Sequence, residues 1–370
     1  MKKIRYGVVG LGHISQNALL PAFKNARNSE LAALITGDET KRKKLAKMYG
    51  LDPASTFSYE QFDDCLESGK IDAVYIGVPN HLHCDYTVRA ARCGVHVLCE
   101  KPMAVDEREC ERMIEACDRA GVKLMIAYRL HFEPANLEAV QIGSSGKLGD
   151  LRIFTSSFSQ QTEGDNIRLK EPIERGGGSL YDMGVYCINA ARYLFRDEPI
   201  EVTATTASNG ELRFRESPEM TSAVLRFPDE RLAMLITSFG AASLSEYTLL
   251  GTKGWLRLSP AYDYQIPLAM ELAIGEGEPK RKKFRKHDQF GPELTYFSAC
   301  ILNDREPEPS GLEGLCDIRV VRAILESAEK QKRVKLEPSA KPERPSKVQQ
   351  ITHPAVEPPK LIRASSPSGE

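Results

Sequence analysis

Ile4-Arg5-Tyr6-Gly7-Val8-Val9-Gly10-Leu11-Gly12-His13-Ile14-Ser15 is the stretch that decides the fold of this 370-residue chain. The strand-forming run Ile4–Val9 passes straight into a Gly-x-Gly turn, and a helical stretch, Asn17–Ala26, follows. Glycines there let the chain turn sharply and approach a pyrophosphate, while the helix N-terminus supplies N–H donors and a positive dipole. The third glycine of the dinucleotide fingerprint is replaced by Ser15, another small residue. Gly10, Gly12, His13 and Ile14 are therefore the first candidate cofactor contacts. A Gly-x-Gly turn also occurs in loops that bind nothing, so its setting carries the argument.

That setting is a regular alternation. Apolar runs Leu31–Ile35, Ala73–Val78, Val95–Cys99 and Lys123–Ala127 are separated by helical stretches at Lys41–Tyr49, Tyr59–Glu67, Cys84–Arg92 and Glu107–Ala120. Asp106, with Glu109 three residues later, reads as a capping box. Strands alternating with helices predict a doubly wound parallel sheet, an α/β Rossmann domain over residues 1–128. From about residue 150 strand follows strand: Leu151–Phe158, Glu201–Ala207, Thr221–Phe227, Leu232–Ser238, Tyr247–Leu250 and Trp255–Leu258, with helices near 179–195, 291–303 and 312–331. This predicts an α+β domain over 129–336 with a large, mostly antiparallel sheet, for substrate and oligomerisation. Residues 337–370 carry seven prolines from Pro338 to Pro367 and few apolar residues, the composition of a flexible tail.

Composition sets the outer bounds. Fifty basic and 51 acidic residues leave a net charge of −1, which disfavours nucleic-acid binding. The sequence has no apolar run approaching the roughly 18 residues that span a bilayer. Met1-Lys2-Lys3 enters the first strand at once, leaving no room for an export signal, so a cytoplasmic location is the default expectation. The nine cysteines contain no Cys-x-x-Cys pair, so neither a disulfide framework nor a thiolate metal site is expected.

The end of the second strand separates the nicotinamide cofactors. An NAD site places Asp or Glu there to hold the ribose hydroxyls. Here Thr36 takes the acid's place, Gly37 leaves space, and Lys41 and Arg42 offer charge to a 2′-phosphate. NADP is favoured over NAD. Asp38 could still reach a ribose, and the competing reading is a solvated charge run opening a helix. Farther on, Glu100-Lys101-Pro102 ends the run Val95–Cys99, and strand carboxyl ends are where ligands sit in such a sheet.

Gly10-x-Gly12, Glu100-Lys101-Pro102 and Gly176-Gly177-Gly178-Ser179-Leu180-Tyr181-Asp182-Met183-Gly184-Val185-Tyr186, in this order, resemble the Gfo/Idh/MocA oxidoreductase family and its glucose–fructose and aldose–aldose oxidoreductase branch. The resemblance covers residues 1–336. Pro79-Asn80-His81-Leu82-His83, Tyr128-Arg129 and Arg168-Leu169 add to it, although Ile167 stands where the branch has Trp. It implies Lys101, Asp182 and Tyr186 as the catalytic set. It implies Pro79, Asn80, His83, Glu100, Lys101, Arg129 and Arg168 as further cofactor contacts. Thr36, Gly37 and Lys41 match the branch's cofactor pattern.

The residue types agree with that chemistry. Asp182 and Tyr186 stand four apart in a helical segment and share a face. An ammonium beside a phenol favours phenolate, and Asp182 can hold the lysine. Tyr186 would take a sugar hydroxyl proton while the adjacent carbon gives hydride to NADP; a core tyrosine beside a structural ion pair is the plain alternative. His81 and His83 lack partners for a metal shell, and no metal is expected. His131 could line the pocket or pack in the core, while His287-Asp288-Gln289 reads as surface. Arg152 and Arg175, like Arg168, could bond sugar hydroxyls.

The leading expectation is an NADP-dependent sugar oxidoreductase, with cofactor held tightly between turnovers, acting as a homodimer or homotetramer without nucleic-acid or membrane partners. A non-catalytic NADP-binding regulator and a polyol or dihydrodiol dehydrogenase with exchanging cofactor are the alternatives.

Overall fold

The computed structural model describes residues 2–337 and 343–366. Strands β1 (Ile4–Val9), β2 (Ser29–Ile35), β3 (Thr56–Phe57), β4 (Ala73–Ile76), β5 (His96–Glu100) and β6 (Leu124–Ala127) form a fully parallel sheet in the order β3-β2-β1-β4-β5-β6. Successive residues point to opposite faces, and both faces are covered. Tyr6, Val8 and Tyr75 enter one apolar cluster, while Val9, Val74 and Ile76 enter the other. The strand order reverses at β1 and β4, so a crevice opens beyond their carboxyl ends.

Nine strands make the second sheet: β7 (Leu151–Ser159), β8 (Glu201–Ala207), β9 (Met220–Phe227), β10 (Arg231–Ser238), β11 (Leu244–Gly251), β12 (Gly254–Leu258), β13 (Ala269–Ile274), β14 (Lys280–Lys283) and, two strands later in the chain, β16 (Val334–Lys335). All its ladders are antiparallel except β7 with β10. One face is packed and the other open. In β10, Ala233 and Leu235 are buried, whereas Leu232, Met234 and Ile236 are exposed.

Several details depart from the sequence reading. The helix Pro134–Ser144 had no recognisable start because Glu133, an unusual cap, accepts the Ala135 and Asn136 N–H groups at 2.9 and 2.8 Å. Strands β3, β13 and β14 were missed, the first only two residues long and the last the all-exposed Lys-Arg-Lys-Lys edge. The box at Asp106 is half formed. Asp106 accepts the Glu109 N–H at 2.8 Å, but the Glu109 carboxylate accepts from Val105. Helix Gly291–Leu302, assigned by order to the second domain, packs on the first sheet through Leu294 and Phe297. Ser29 Oγ donates to the Leu294 carbonyl at 3.1 Å.

The expectation of a flexible tail also needs correction over its described part; residues 338–342 and 367–370 lie outside the described residues. Arg344 meets Glu198 at 2.7 Å, and the Gln349 amide donates to Glu308 Oε2 at 2.8 Å. Another strand, β17 (His353–Pro354), pairs with β15 (His287–Asp288). Gln16, fully buried, then donates to the Ile362 carbonyl at 3.0 Å and accepts its N–H at 2.8 Å. Prolines keep the ladder here to two residues, and farther on the buried side-chain amide of Gln16 satisfies the Ile362 backbone instead.

Arg192, with no exposed surface, binds Glu198, Glu313 and Asp317 at 2.7, 2.8 and 2.5 Å. It thereby clamps helix Val185–Phe195 to helix Gly311–Lys330. Burial pushes the Asp317 carboxyl above its ordinary range even beside Arg192. Removing one member of such a buried set leaves the others uncompensated, at a cost of about 3–5 kcal/mol. Arg192→Met is expected to lower unfolding free energy by that amount in urea titrations; an unchanged midpoint would contradict the clamp.

Candidate active site

The phosphate loop is built by close backbone contact. Gly10 has φ +85°, and a Cβ there would lie 2.3 Å from the Gly77 carbonyl oxygen after β4. At Gly12 a Cβ would meet nothing within 4 Å, so the space before the helical stretch 13–22 is open. Ser15, in place of the third glycine, donates its hydroxyl to the Gly10 carbonyl at 2.6 Å and braces the turn. A tight crossing beside open room at a helix N-terminus fits a dinucleotide pyrophosphate.

A second glycine run brings the other wall in. Gly176 has φ +82°, and a Cβ there would sit 2.8 Å from Asn80; at Gly177 it would lie 1.9 Å from the Glu171 carbonyl. Asn80 donates to the Gly176 carbonyl at 2.7 Å. From this pinned run the chain enters a π-helical turn, Leu180–Gly184, and then helix Val185–Phe195. The wider turn was invisible to a 3.6-residue reading, and such turns are frequent at functional sites.

Together the two walls enclose a cleft of about 840 Å³. Lys101 projects into it from the end of β5. Its ammonium donates to the Asp182 carbonyl at 2.7 Å, lies 3.4 Å from Asp182 Oδ1, and stands 4.4 Å from the Tyr186 ring centroid. Arg168 Nε meets the same Oδ1 at 2.9 Å. Burial pushes the Asp182 carboxyl up, but Arg168 and Lys101 outweigh it and hold the acid below its ordinary range. The structure thus brings Lys101, Asp182, Tyr186 and Arg168 into one constellation across the two domains.

Of the other expected contacts, Gly10, Gly12, His13, Ile14, Lys41, Pro79, Asn80, His83, Glu100 and Arg129 line the cleft. Thr36, Gly37 and Arg42 do not. Thr36 is buried and its hydroxyl engages Tyr59, the Tyr59 ring lies over Gly37, and Arg42, next to Lys41 on the helix, is not among the lining residues. Asp38 caps that helix, accepting the Lys41 N–H at 3.0 Å. His83 is buried with both ring nitrogens on carbonyls, of Val78 at 2.9 Å and Pro102 at 3.0 Å, and ties the two loops together. Glu100 accepts the Tyr75 hydroxyl and the Lys101 N–H.

Arg129 is buried beneath the site, with its nitrogens on Gln289 and the Tyr262 carbonyl and its guanidinium 5.1 Å from the Tyr186 ring centroid. Burial opposes its charge, yet Tyr186 and Asp263 raise its pKa above the ordinary value. The surface reading of residues 287–289 is therefore corrected, because Asp288 and Gln289 are buried and Gln289 holds Arg129. His131 belongs to the core, between Glu308 at 3.1 Å and Asn189 at 2.8 Å. His81 faces Glu171 at 3.5 Å, Arg175 lines the cleft, and Arg152 is exposed near Asp150.

Sequence reasoning missed Tyr59, Phe158, Tyr262 and Tyr264, which also line the cleft. The rings of Phe158 and Tyr262 each stand 5.8 Å from that of Tyr186. Loop 260–266 has no periodicity that could have flagged the last two. Behind the site, neither carboxyl oxygen of the fully buried Glu293 finds a hydrogen-bond partner among the described residues. Burial, with Glu100 adding to it, pushes Glu293 well above the ordinary carboxylate range. An acid kept neutral in the fold but ionised in the unfolded chain removes stability as pH rises from that range upward. Glu293→Gln should therefore melt higher relative to wild type at pH 8 than at pH 5, by calorimetry; a constant difference would contradict a neutral Glu293.

Comparison with known proteins matches residues 4–128 to a model described as an oxidoreductase family with an NAD-binding Rossmann fold, and residues 137–257 to a GFO/IDH/MocA C-terminal domain. A D-xylose 1-dehydrogenase [NADP(+)] of Haloarcula marismortui is 33% identical over 341 residues, covering 90% of this chain and 93% of that protein. The crystal structure of aldose–aldose oxidoreductase from Caulobacter crescentus, complexed with glycerol, superposes with a TM-score of 0.86 at 38% identity, covering 90% of this chain and all of the other. A 3-ketoreductase from Actinomadura kijaniata, in complex with NADP and TDP-benzene, gives 0.79 at 25% identity over 88% of this chain and 98% of its own.

Proposed function

Because the chain belongs to the Gfo/Idh/MocA oxidoreductase family, we propose that it is an NADP-dependent oxidoreductase that moves hydride between a sugar CH–OH group and the nicotinamide, with Lys101, Asp182 and Tyr186 as its catalytic set. The observation that carries this reading is the Lys101 ammonium, held by Asp182 and set 4.4 Å from the Tyr186 ring centroid inside the cleft. NADP-dependent sugar enzymes among the relatives support the cofactor and substrate class. A binding-only regulator would have no need of this constellation.

The residues divide the work as follows. The nicotinamide, when bound, supplies the hydride chemistry. The open loop at Gly12 and the helix behind it would hold its pyrophosphate, with Lys41 at the ribose end and Lys101 at the other. In the oxidising direction Tyr186 takes the proton of the substrate hydroxyl, and in reduction it returns it. Lys101 stabilises the negative charge that passes between substrate oxygen and phenol. Asp182, itself anchored by Arg168, keeps that ammonium in place. Aromatic rings beside Tyr186 and polar groups including Asn166 and Arg175 suit a polyhydroxylated ring.

General acid–base catalysis of this kind is worth ~10²–10⁴-fold. Tyr186→Phe is expected to lower kcat by that factor with the circular dichroism spectrum unchanged, in assays screening aldoses for reduction of NADP. Mass analysis of nucleotide released by denaturing the purified protein should find NADP(H); recovery of NAD alone would overturn the cofactor reading.

A homodimer or larger assembly is part of the proposal. Ile153, Val224, Leu232, Met234 and Ile236 lie on the open face of adjacent strands β7, β9 and β10, where a second copy would cover them. The double variant Met234→Lys, Ile236→Lys should scatter light as a monomer while wild type does not; a monomeric wild type would dispose of the assembly.

A further inference from the structure

We infer that Arg363, brought back to the nucleotide cleft by the C-terminal segment, is a cofactor-specificity residue that neutralises Asp38 and presents its guanidinium to the 2′-phosphate of NADP. The inference rests on the NADP reading above. Three observations converge on it.

The first is the docking of the segment. Ile362 exchanges two hydrogen bonds with the buried side chain of Gln16, in the helix that follows the phosphate loop, at 2.8 and 3.0 Å. Three residues farther, Ser365 and Ser366 line the cleft together with Lys41. The C-terminal segment through Ser366 is thus part of the cleft wall beside Lys41.

The second is the fate of Asp38. An acid just beyond the second strand would ordinarily hold ribose hydroxyls and repel a 2′-phosphate. Here Arg363 Nη1 lies 3.3 Å from each Asp38 carboxylate oxygen, while Oδ1 also accepts the Lys41 N–H. The repelling charge is offset by a residue 325 positions away in sequence.

The third is the gathering of positive charge. The Arg363 side chain keeps 63% exposure, so its remaining N–H donors are open. Lys41 stands close enough to feel it, since burial and the Arg363 charge together lower the Lys41 pKa despite Asp38. Two cations beside one carboxylate form a place that gains by receiving an anion, and arginine presents paired N–H groups that match phosphate. Asp38 and Arg363, like Arg42, are not among the residues that line the cleft, but Arg363 and Asp38 lie beside ones that do, Ser365 and Lys41, and Arg363 is the cation paired with Asp38.

The test compares NADPH and NADH dissociation constants by fluorescence titration of full-length protein stripped of nucleotide. Arg363→Ala should weaken NADPH binding by about 10–100-fold and change NADH binding less than about threefold, because NADH lacks the 2′-phosphate. Arg363→Lys should recover part of the loss. Adding Asp38→Asn to Arg363→Ala should also recover part of it, because Asn caps the helix as well as Asp while removing the repelling charge. A variant folded like wild type that keeps the wild-type NADPH-to-NADH ratio would overturn the role of Arg363 and leave the NADP reading standing. Equal affinity of the wild type for both nucleotides would overturn the NADP reading, and this inference with it.

Discussion

One ammonium group joins the two halves of the molecule where its chemistry is proposed to occur. Lys101 leaves the end of a parallel strand in the nucleotide-binding domain, while the Asp182 carbonyl and carboxylate it engages belong to the π-helical turn of the second domain. A lysine so nearly buried is tolerable only with its charge answered, and Asp182 and the face of Tyr186 answer it. The same contacts fix the distance between domains at the cleft. Position, charge balance and domain closure are therefore one constraint.

Glycine makes that constraint reachable. The Gly10 turn lets the first loop cross Gly77, and the run Gly176–Gly178 threads between Asn80 and the carbonyl of Glu171, where a side chain would collide with backbone. Each close approach shortens the path between a strand end and the helix carrying Tyr186. Deeper in, the Arg192 cluster clamps that helix to Gly311–Lys330, and Arg344 joins Glu198 from the C-terminal segment. The helix carrying Tyr186 is thus tied at both ends.

How much of this was legible follows from the range of each signal. Five of the six parallel strands, the phosphate turn and the helix from Glu107 to Ala120 are written in local periodicity and glycine placement, and were read within a few residues; the two-residue edge strand β3 is too short to carry such a signal. Tyr186 and Asp182 could be paired from their spacing, although the π-turn that sets their geometry could not. Arg42 looked equivalent to Lys41 because a sequence does not say which way a short helix is rotated against its sheet. Gln289, read as surface, is buried because it meets Arg129 across 160 positions.

By itself the sequence determined the fold class, the position of the phosphate loop and the kinds of side chain able to do acid–base work, since those depend on contacts between near neighbours and on backbone freedom. Tertiary structure alone decided which charges meet. It stacked Lys101 on Tyr186, set Arg129 beneath the same ring, took Arg42 out of the cleft and laid a proline-rich tail against Gln16 so that Arg363 faces Asp38. Electrostatic partners are chosen by distance in space, and only packing of the whole chain fixes that distance.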